Sequence, residues 1–338
     1  MNFDPDAAAT PGSGIFGLPC TLAESRIVLL PVPFDATTSY RRGTANGPAA
    51  IRAASLQVDL YDRRFGKVYE RGIFMAEESV QIRSLSESAG TAAAPLIAGA
   101  GTTGDPKADA RILAQVATAC EQVNDIVYED TARVIRDGKV PGLIGGEHST
   151  PFGAIQACAE HQDGVGILHI DAHMDLREAF EGFEWSHASI MHNVIHKIPG
   201  VKRLVQVGIR DFGERELALA KSQGKRVKVC FYDDWAEQSL DGTFFRSLCA
   251  AAIDPLPERV YVSFDIDGLD PSLCPHTGTP VPGGLSFNQA TLLLHALHRS
   301  GRKVVGFDLV EVAPGEEGSP EWDANVGARV LYKLCGLG

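Results

Sequence analysis

Six side chains able to bind metal follow apolar runs of this chain: His148, Asp171, His173, Asp175, Asp265 and Asp267. The densest group is HIDAHMDLRE, His169–Glu178, where Asp, His and Asp recur at two-residue spacing after the apolar run Gly164–Ile170. In an extended chain, alternate residues project from one face roughly 7 Å apart, so Asp171, His173 and Asp175 are expected to converge on one side. Alone, each reads as an ordinary polar residue at a strand end. Together they do not, because carboxylates beside a buried strand need a partner.

Positioning them requires several strand ends at one edge. Ser25–Pro33, Lys139–Ile144, Gly164–Ile170, Arg203–Gly208, Arg226–Tyr232, Arg259–Phe264 and Lys303–Leu309 read as buried strands. Helical patterns lie between them: a helix opening at Ala49 after Gly47-Pro48, then Ala108–Asp137, helices from about Ala188 and Glu214, then Gly242–Ala252, Phe287–Arg299 and Ala324–Leu334. The alternation predicts a three-layer α/β/α fold with a central, mostly parallel sheet, whose strands end together at one edge. Residues 1–24, rich in Ala, Pro and Gly, read as a flexible or surface-draped arm, and 25–338 as one domain. The small-residue stretch Gly90–Lys107 reads as an exposed connection.

Four carboxylates and two imidazoles exceed what one ion with an open position needs, but they suit two divalent ions sharing bridging carboxylates about 3.5–4 Å apart. Oxygen-rich ligation without thiolate favours manganese, with nickel, cobalt and iron as alternatives. A net charge of −12 and the lack of a Lys/Arg cluster argue against nucleic acid. The seven cysteines show no CxxC spacing, the first residues lack a signal-peptide pattern, and no run is apolar enough to span a bilayer, so a cytoplasmic protein with reduced thiols is expected.

The motifs GGEHS (Gly145–Ser149), DAHMD (Asp171–Asp175), SFDIDGLDPS (Ser263–Ser272) and HTGTPVPGGLS (His276–Ser286) resemble, in order, those of the ureohydrolase family of arginases, agmatinases and formiminoglutamases. PFDATTSYRRGTANGPAAIR (Pro33–Arg52) and GFDLVEVAP (Gly306–Pro314) extend the resemblance from about Ile27 to the C-terminus. The resemblance implies one ion on His148, Asp171, Asp175 and Asp265, and the other on His173, Asp171, Asp265 and Asp267, with Asp171 and Asp265 bridging. It implies a metal-bridging hydroxide attacking a guanidinium or formimino carbon, with Asp267 or a nearby His carrying a proton to the leaving nitrogen. Glu311 would orient the guanidinium, and His187 in WSHAS would shuttle protons or touch substrate. A homo-oligomer, trimer or hexamer, is also implied.

The substrate tail is less legible. Arg177, in a DLR sequence similar to formiminoglutamases, can clamp a substrate carboxylate or pair with Glu178 or Glu181. GIRDFGERE, Gly208–Glu216, resembles the loop that meets the substrate tail, but Gly213 stands where arginases carry an Asp, which disfavours arginine unless Glu216 compensates. An agmatine-like guanidino compound leads, and a formimino acid is the alternative. Two other classes stay open: a non-catalytic metal-bound relative, and a one-metal deacetylase of related architecture, which would not need the second Asp pair. His169 can be a partner to the ligands; His161, His192, His196, His295 and His298 receive no role.

Overall fold

The computed structural model describes residues 3–10, 12–315 and 321–338. In chain order its elements are β1 (Ile27–Val32), α1 (Gly47–Ala54), β2 (Ile73–Met75), α2 (Val80–Ala98), α3 (Pro106–Arg136), β3 (Val140–Gly145), α4 (Phe152–His161), β4 (Val165–Ile170), α5 (Ile190–Lys197), β5 (Val201–Ile209), α6 (Glu214–Ser222), β6 (Val227–Phe231), α7 (Tyr232–Leu240), α8 (Phe245–Ile253), β7 (Arg259–Asp265), α9 (Phe287–Arg299), β8 (Lys303–Val310) and α10 (Asp323–Cys335). The strands form one eight-stranded sheet in the order β2-β1-β3-β8-β7-β4-β5-β6, and every pairing is parallel. Apolar side chains on its two faces meet separate helix layers, α1, α8, α9 and α10 on one side and α2 to α6 on the other. That double coverage is why the strands read as continuous apolar runs rather than alternating ones.

The register aligns the strand ends. Ile144 pairs with Leu309, Leu309 with Phe264, and Phe264 with Ile170, a fully buried row across β3, β8, β7 and β4. His148, Glu311, Asp265 and Asp171 all follow this row, so residues far apart in sequence share one edge at a topological switch point.

Two expectations change. Gly90–Lys107 is not a connection: α2 runs through Ala98, and only a short turn separates it from α3. Its small residues serve packing, since Ala89 and Ala93 are buried and a Cβ on Gly90 would stand 2.4 Å from the Arg42 guanidinium. Within the expected arm, Ile15, Phe16 and Leu18 are buried and the Phe16 ring packs edge-on against Tyr332 at 4.9 Å; residues 1, 2 and 11 lie outside the described residues. Among the described residues, no helix is long and apolar enough to cross a membrane.

Helix α9 starts with a reciprocal cap: Ser286 Oγ accepts from Gln289 N–H at 3.2 Å, and Gln289 Oε1 accepts from Ser286 N–H at 2.9 Å. Ser286→Ala is expected to cost about 1 kcal/mol in urea unfolding while leaving turnover unchanged.

Candidate metal centre and substrate cavity

His148 is placed by a tight crossing. Gly146 donates its N–H to Val32 O at 3.1 Å, Glu147 donates to Phe34 O at 2.8 Å, and Glu311 donates back to Gly146 O at 2.9 Å. Buried Glu147 anchors the first loop, accepting from Thr37 N–H and Oγ1, each at 2.7 Å, and from Ser149 Oγ at 2.6 Å. Burial raises its carboxyl to about 7. The loop so held brings His148 Nδ1 within 3.0 Å of Asp171 Oδ2, 3.1 Å of Asp175 Oδ2 and 3.2 Å of Asp265 Oδ2.

The common strand face expected for Asp171, His173 and Asp175 is not what unites them. Strand β4 stops at Ile170, and the chain turns at Asp175 with φ +53°, a conformation sparsely used by residues other than glycine. The turn sends Asp175 back to His148, whereas His173 Nδ1 lies 3.1 Å from Asp267 Oδ2 and 3.5 Å from Asp171 Oδ1. Two donor groups result, sharing Asp171: His148, His169, Asp171 and Asp175 in one, Asp171, His173 and Asp267 in the other. Asp265 touches the first group through Oδ2, while its Oδ1 accepts from Asp267 N–H at 2.8 Å. His169 Nε2 lies 2.8 Å from Asp171 Oδ2, and its Nδ1 lies 2.9 Å from Gln206 Nε2.

The electrostatics call for a cation. Burial and the Asp171 charge raise Asp175 to about 6, and burial with the charges of Asp267 and Asp171 holds Asp265 well above the usual carboxylate range. Burial also opposes ionisation of Asp171, yet the surrounding histidines 169, 148 and 173 hold it well below that range. His148 Nδ1 is buried and makes no hydrogen bond of good geometry, although three carboxylate oxygens surround it. Electron-rich atoms converging on one buried point fit a divalent ion, and oxygen-dominated donors suit a hard or borderline one.

A cavity of about 310 Å³ opens over His148, His173, Asp175 and Asp265, and is walled by Ser39, Tyr40, Arg177, Phe180, His187 and Asp211. His187 is buried; its backbone N–H donates to Thr37 Oγ1 at 3.1 Å and Nε2 faces Ser39 Oγ at 3.2 Å. Burial and the neighbouring His173 and His148 lower it to about 3, so it is neutral at pH 7. Glu311 sits behind the cavity wall, its Oε1 4.0 Å from His187 Nδ1. The same oxygen accepts from His148 N–H at 2.7 Å, leaving Oε2 buried and unpaired, and φ is +62°. Burial and the Glu147 charge push its carboxyl well above the usual range.

Arg177 pairs with neither Glu178 nor Glu181. Its Nε lies 3.5 Å from Glu216 Oε2, and its guanidinium packs over the Phe180 ring at 4.7 Å. Glu216 spends its oxygens on backbone, accepting from Leu176 N–H at 3.0 Å and Gly213 N–H at 2.7 Å, which caps α6. Asp211, Phe180, Tyr40 and Ser39 escaped assignment because they lie on loops whose path no periodicity reveals; Asp211, Ser39 and Tyr40 nonetheless stand inside motifs already quoted.

The family model described as "Arginase family" matches residues 25–336. The chain belongs to the arginase family. It is 33% identical over 315 residues to N(1)-aminopropylagmatine ureohydrolase of Thermus thermophilus, covering 93% of this chain and 90% of that protein. Proclavaminate amidinohydrolase of Streptomyces clavuligerus is 31% identical, over 91% of this chain and 88% of that one. Among solved structures, agmatine ureohydrolase of Thermoplasma volcanium superposes with a TM-score of 0.72 at 26% identity, covering 97% of this chain and 94% of that chain. This arginase-family member thus shares both sequence and sheet architecture with its relatives across most of its length.

Proposed function

We propose that this arginase-family hydrolase uses two divalent ions, manganese first and nickel or cobalt as alternatives, to hydrolyse a C–N bond of an agmatine-like guanidino compound to urea and an amine. The observation that supports this most directly is the pair of donor groups joined by Asp171. When bound, the ions would supply Lewis acidity and a water acidic enough to deprotonate at neutral pH. His148, Asp171, Asp175 and Asp265 would hold one ion, and His173, Asp171, Asp265 and Asp267 the other. Glu311 would accept a guanidinium N–H at its unpaired Oε2, turning the planar group toward the ions. His187, buried at the cavity wall, would touch substrate or relay a proton from the attacking water to the leaving nitrogen, a role shared with Asp267.

At the mouth, exposed Asp211 would face a cationic tail, with Glu216 setting the pocket wall by fixing α6 and Arg177. The names of the relatives, agmatinase and N(1)-aminopropylagmatine ureohydrolase, point to such tails. Arg177 supports a second reading: its side chain lines the cavity and its terminal nitrogens make no hydrogen bond among the described residues, so a formimino acid could be gripped by its carboxylate. The resemblance supports a trimeric or hexameric assembly, and seven cysteines without a disulfide support a cytoplasmic setting.

The test is a panel on manganese-loaded protein, with agmatine, arginine, guanidinobutyrate, guanidinopropionate, guanidine and formiminoglutamate, scoring urea and formamide separately. Urea from a guanidino compound is expected, and neither product with any ion would sink the proposal. Arg177→Gln is expected to leave turnover of a cationic-tailed substrate within about threefold, whereas under the second reading it raises KM for the acid at least tenfold or so with kcat kept.

A further inference from the structure

Below His148 runs a buried polar chain that the proposed function does not use. His148 Nε2 lies 2.9 Å from Ser263 Oγ, and Ser263 Oγ lies 3.0 Å from Asp308 Oδ1. Ser263 and Asp308 are direct neighbours across β7 and β8, and neither is exposed to solvent.

Donor counting sets the direction of this chain. Asp308 Oδ1 takes the Phe264 N–H at 3.1 Å, so this oxygen is an acceptor whichever form the carboxyl has. The Ser263 hydroxyl proton therefore points at Asp308, and its oxygen is left to accept from His148 Nε2–H. A neutral imidazole with its proton on Nε2 has its lone pair on Nδ1, the atom that Asp171, Asp175 and Asp265 surround. Among the described residues no cationic side chain forms an ion pair with Asp308, so burying this polar group is costly without the hydrogen bonds it accepts. Shape alone would be served by an apolar residue, like Phe307 and Leu309 on either side.

We propose that Ser263 and Asp308 are positioning residues for the metal centre: they lock the His148 ring in the tautomer that offers Nδ1 to the ion shared with Asp171, Asp175 and Asp265. The inference rests on the metal-centre reading above and adds the device that prepares one ligand. The ion served by His173 and Asp267 does not depend on this chain, which makes the effect selective.

The experiment strips the full-length protein of metal, titrates it with manganese alone, and obtains the number and tightness of bound ions by competition with a chelator. Wild type is expected to bind two. Ser263→Ala should weaken one ion about 10–100-fold and leave the other nearly unchanged, while Ser263→Thr, which returns the hydroxyl, should recover most of the loss. Asp308→Asn keeps an oxygen for the hydroxyl and should stay near wild type; Asp308→Leu removes the acceptor of both the Ser263 hydroxyl and the Phe264 N–H, so it should weaken the same ion as Ser263→Ala while lowering the apo melting temperature further. The Leu variant decides the matter if the Ala variant does not fold. Two ions held with wild-type tightness in Ser263→Ala and Asp308→Leu would overturn the assignment, as would equal weakening of both ions that tracks a lowered apo melting temperature. Fewer than two ions on wild type would overturn the metal-centre reading itself, and this assignment with it.

Discussion

Asp265→Asn is expected to yield a folded protein that holds at most one manganese ion and turns over substrate at least about a thousandfold more slowly, on the scale of losing a preorganised electrostatic group. Asparagine keeps the size of Asp265 and an oxygen for the Asp267 N–H, but it removes the charge that faces His148 Nδ1. The sign of the stability change separates loss of function from loss of fold. Burial and the charges of Asp267 and Asp171 hold the Asp265 carboxyl well above its unfolded value, so above that unfolded value it costs the metal-free chain stability. Metal-free Asp265→Asn should therefore melt at or above wild type at pH 7, while the rise that manganese gives wild type is lost. Metal analysis, melting with and without manganese, and kcat check this. Wild-type turnover in the variant would sink the two-ion proposal.

Gly146→Ala should damage both fold and site. A Cβ there would stand 1.9 Å from Phe34 O and 2.8 Å from two other Phe34 backbone atoms. No rotamer relieves a clash with backbone, so the ends of β1 and β3 must part, and a cost of about 3 kcal/mol is expected, the upper end of ordinary overpacking. The same displacement moves His148 and the Glu311 N–H that bonds Gly146 O. Urea unfolding and manganese loading should both report it. Unfolding within about 0.5 kcal/mol of wild type, the level of an unremarkable surface change, together with full loading, would show that the crossing can yield.

The central strands and the six His and Asp side chains proposed to hold metal were legible because two simple signals coincide there: apolar runs long enough for a doubly covered strand, and polar residues of one chemistry placed at their ends. Phe287–Arg299 was read with its observed limits, and the structure shows Ser286 and Gln289 capping its start. Other elements resisted for identifiable reasons. Strand β2 is an edge strand of three residues, too short to show a period. The second half of helix α2, from Gly90, was read as a connection because Gly90, Pro95 and its alanines look like breakers or spacers, whereas close approach to α3 and Arg42 is what they permit. At the site, spacing placed Asp171, His173 and Asp175 on one extended face, but a left-handed turn at Asp175 replaces that path, and Asp175 and His173 fall in different donor groups that share Asp171. Ser263, Gln206 and Asp308 looked like parts of apolar strands, and only the cross-strand register shows what they touch.

The sheet order sets a timetable for synthesis. Strand β8, the last to leave the ribosome, belongs between β3 and β7 rather than at either edge. Until residue 310 has emerged, the growing chain holds two half-sheets with facing unpaired edges, a template for pairing with other chains. His148 sits on one half and Asp171, His173, Asp175, Asp265 and Asp267 on the other, so the donor group that contains His148 is incomplete until the sheet closes. A nascent chain stalled before β8 would lack the His148 donor group and expose both edges, which makes the interval before β8 pairs, rather than the early helices, the one in which this protein most needs shielding.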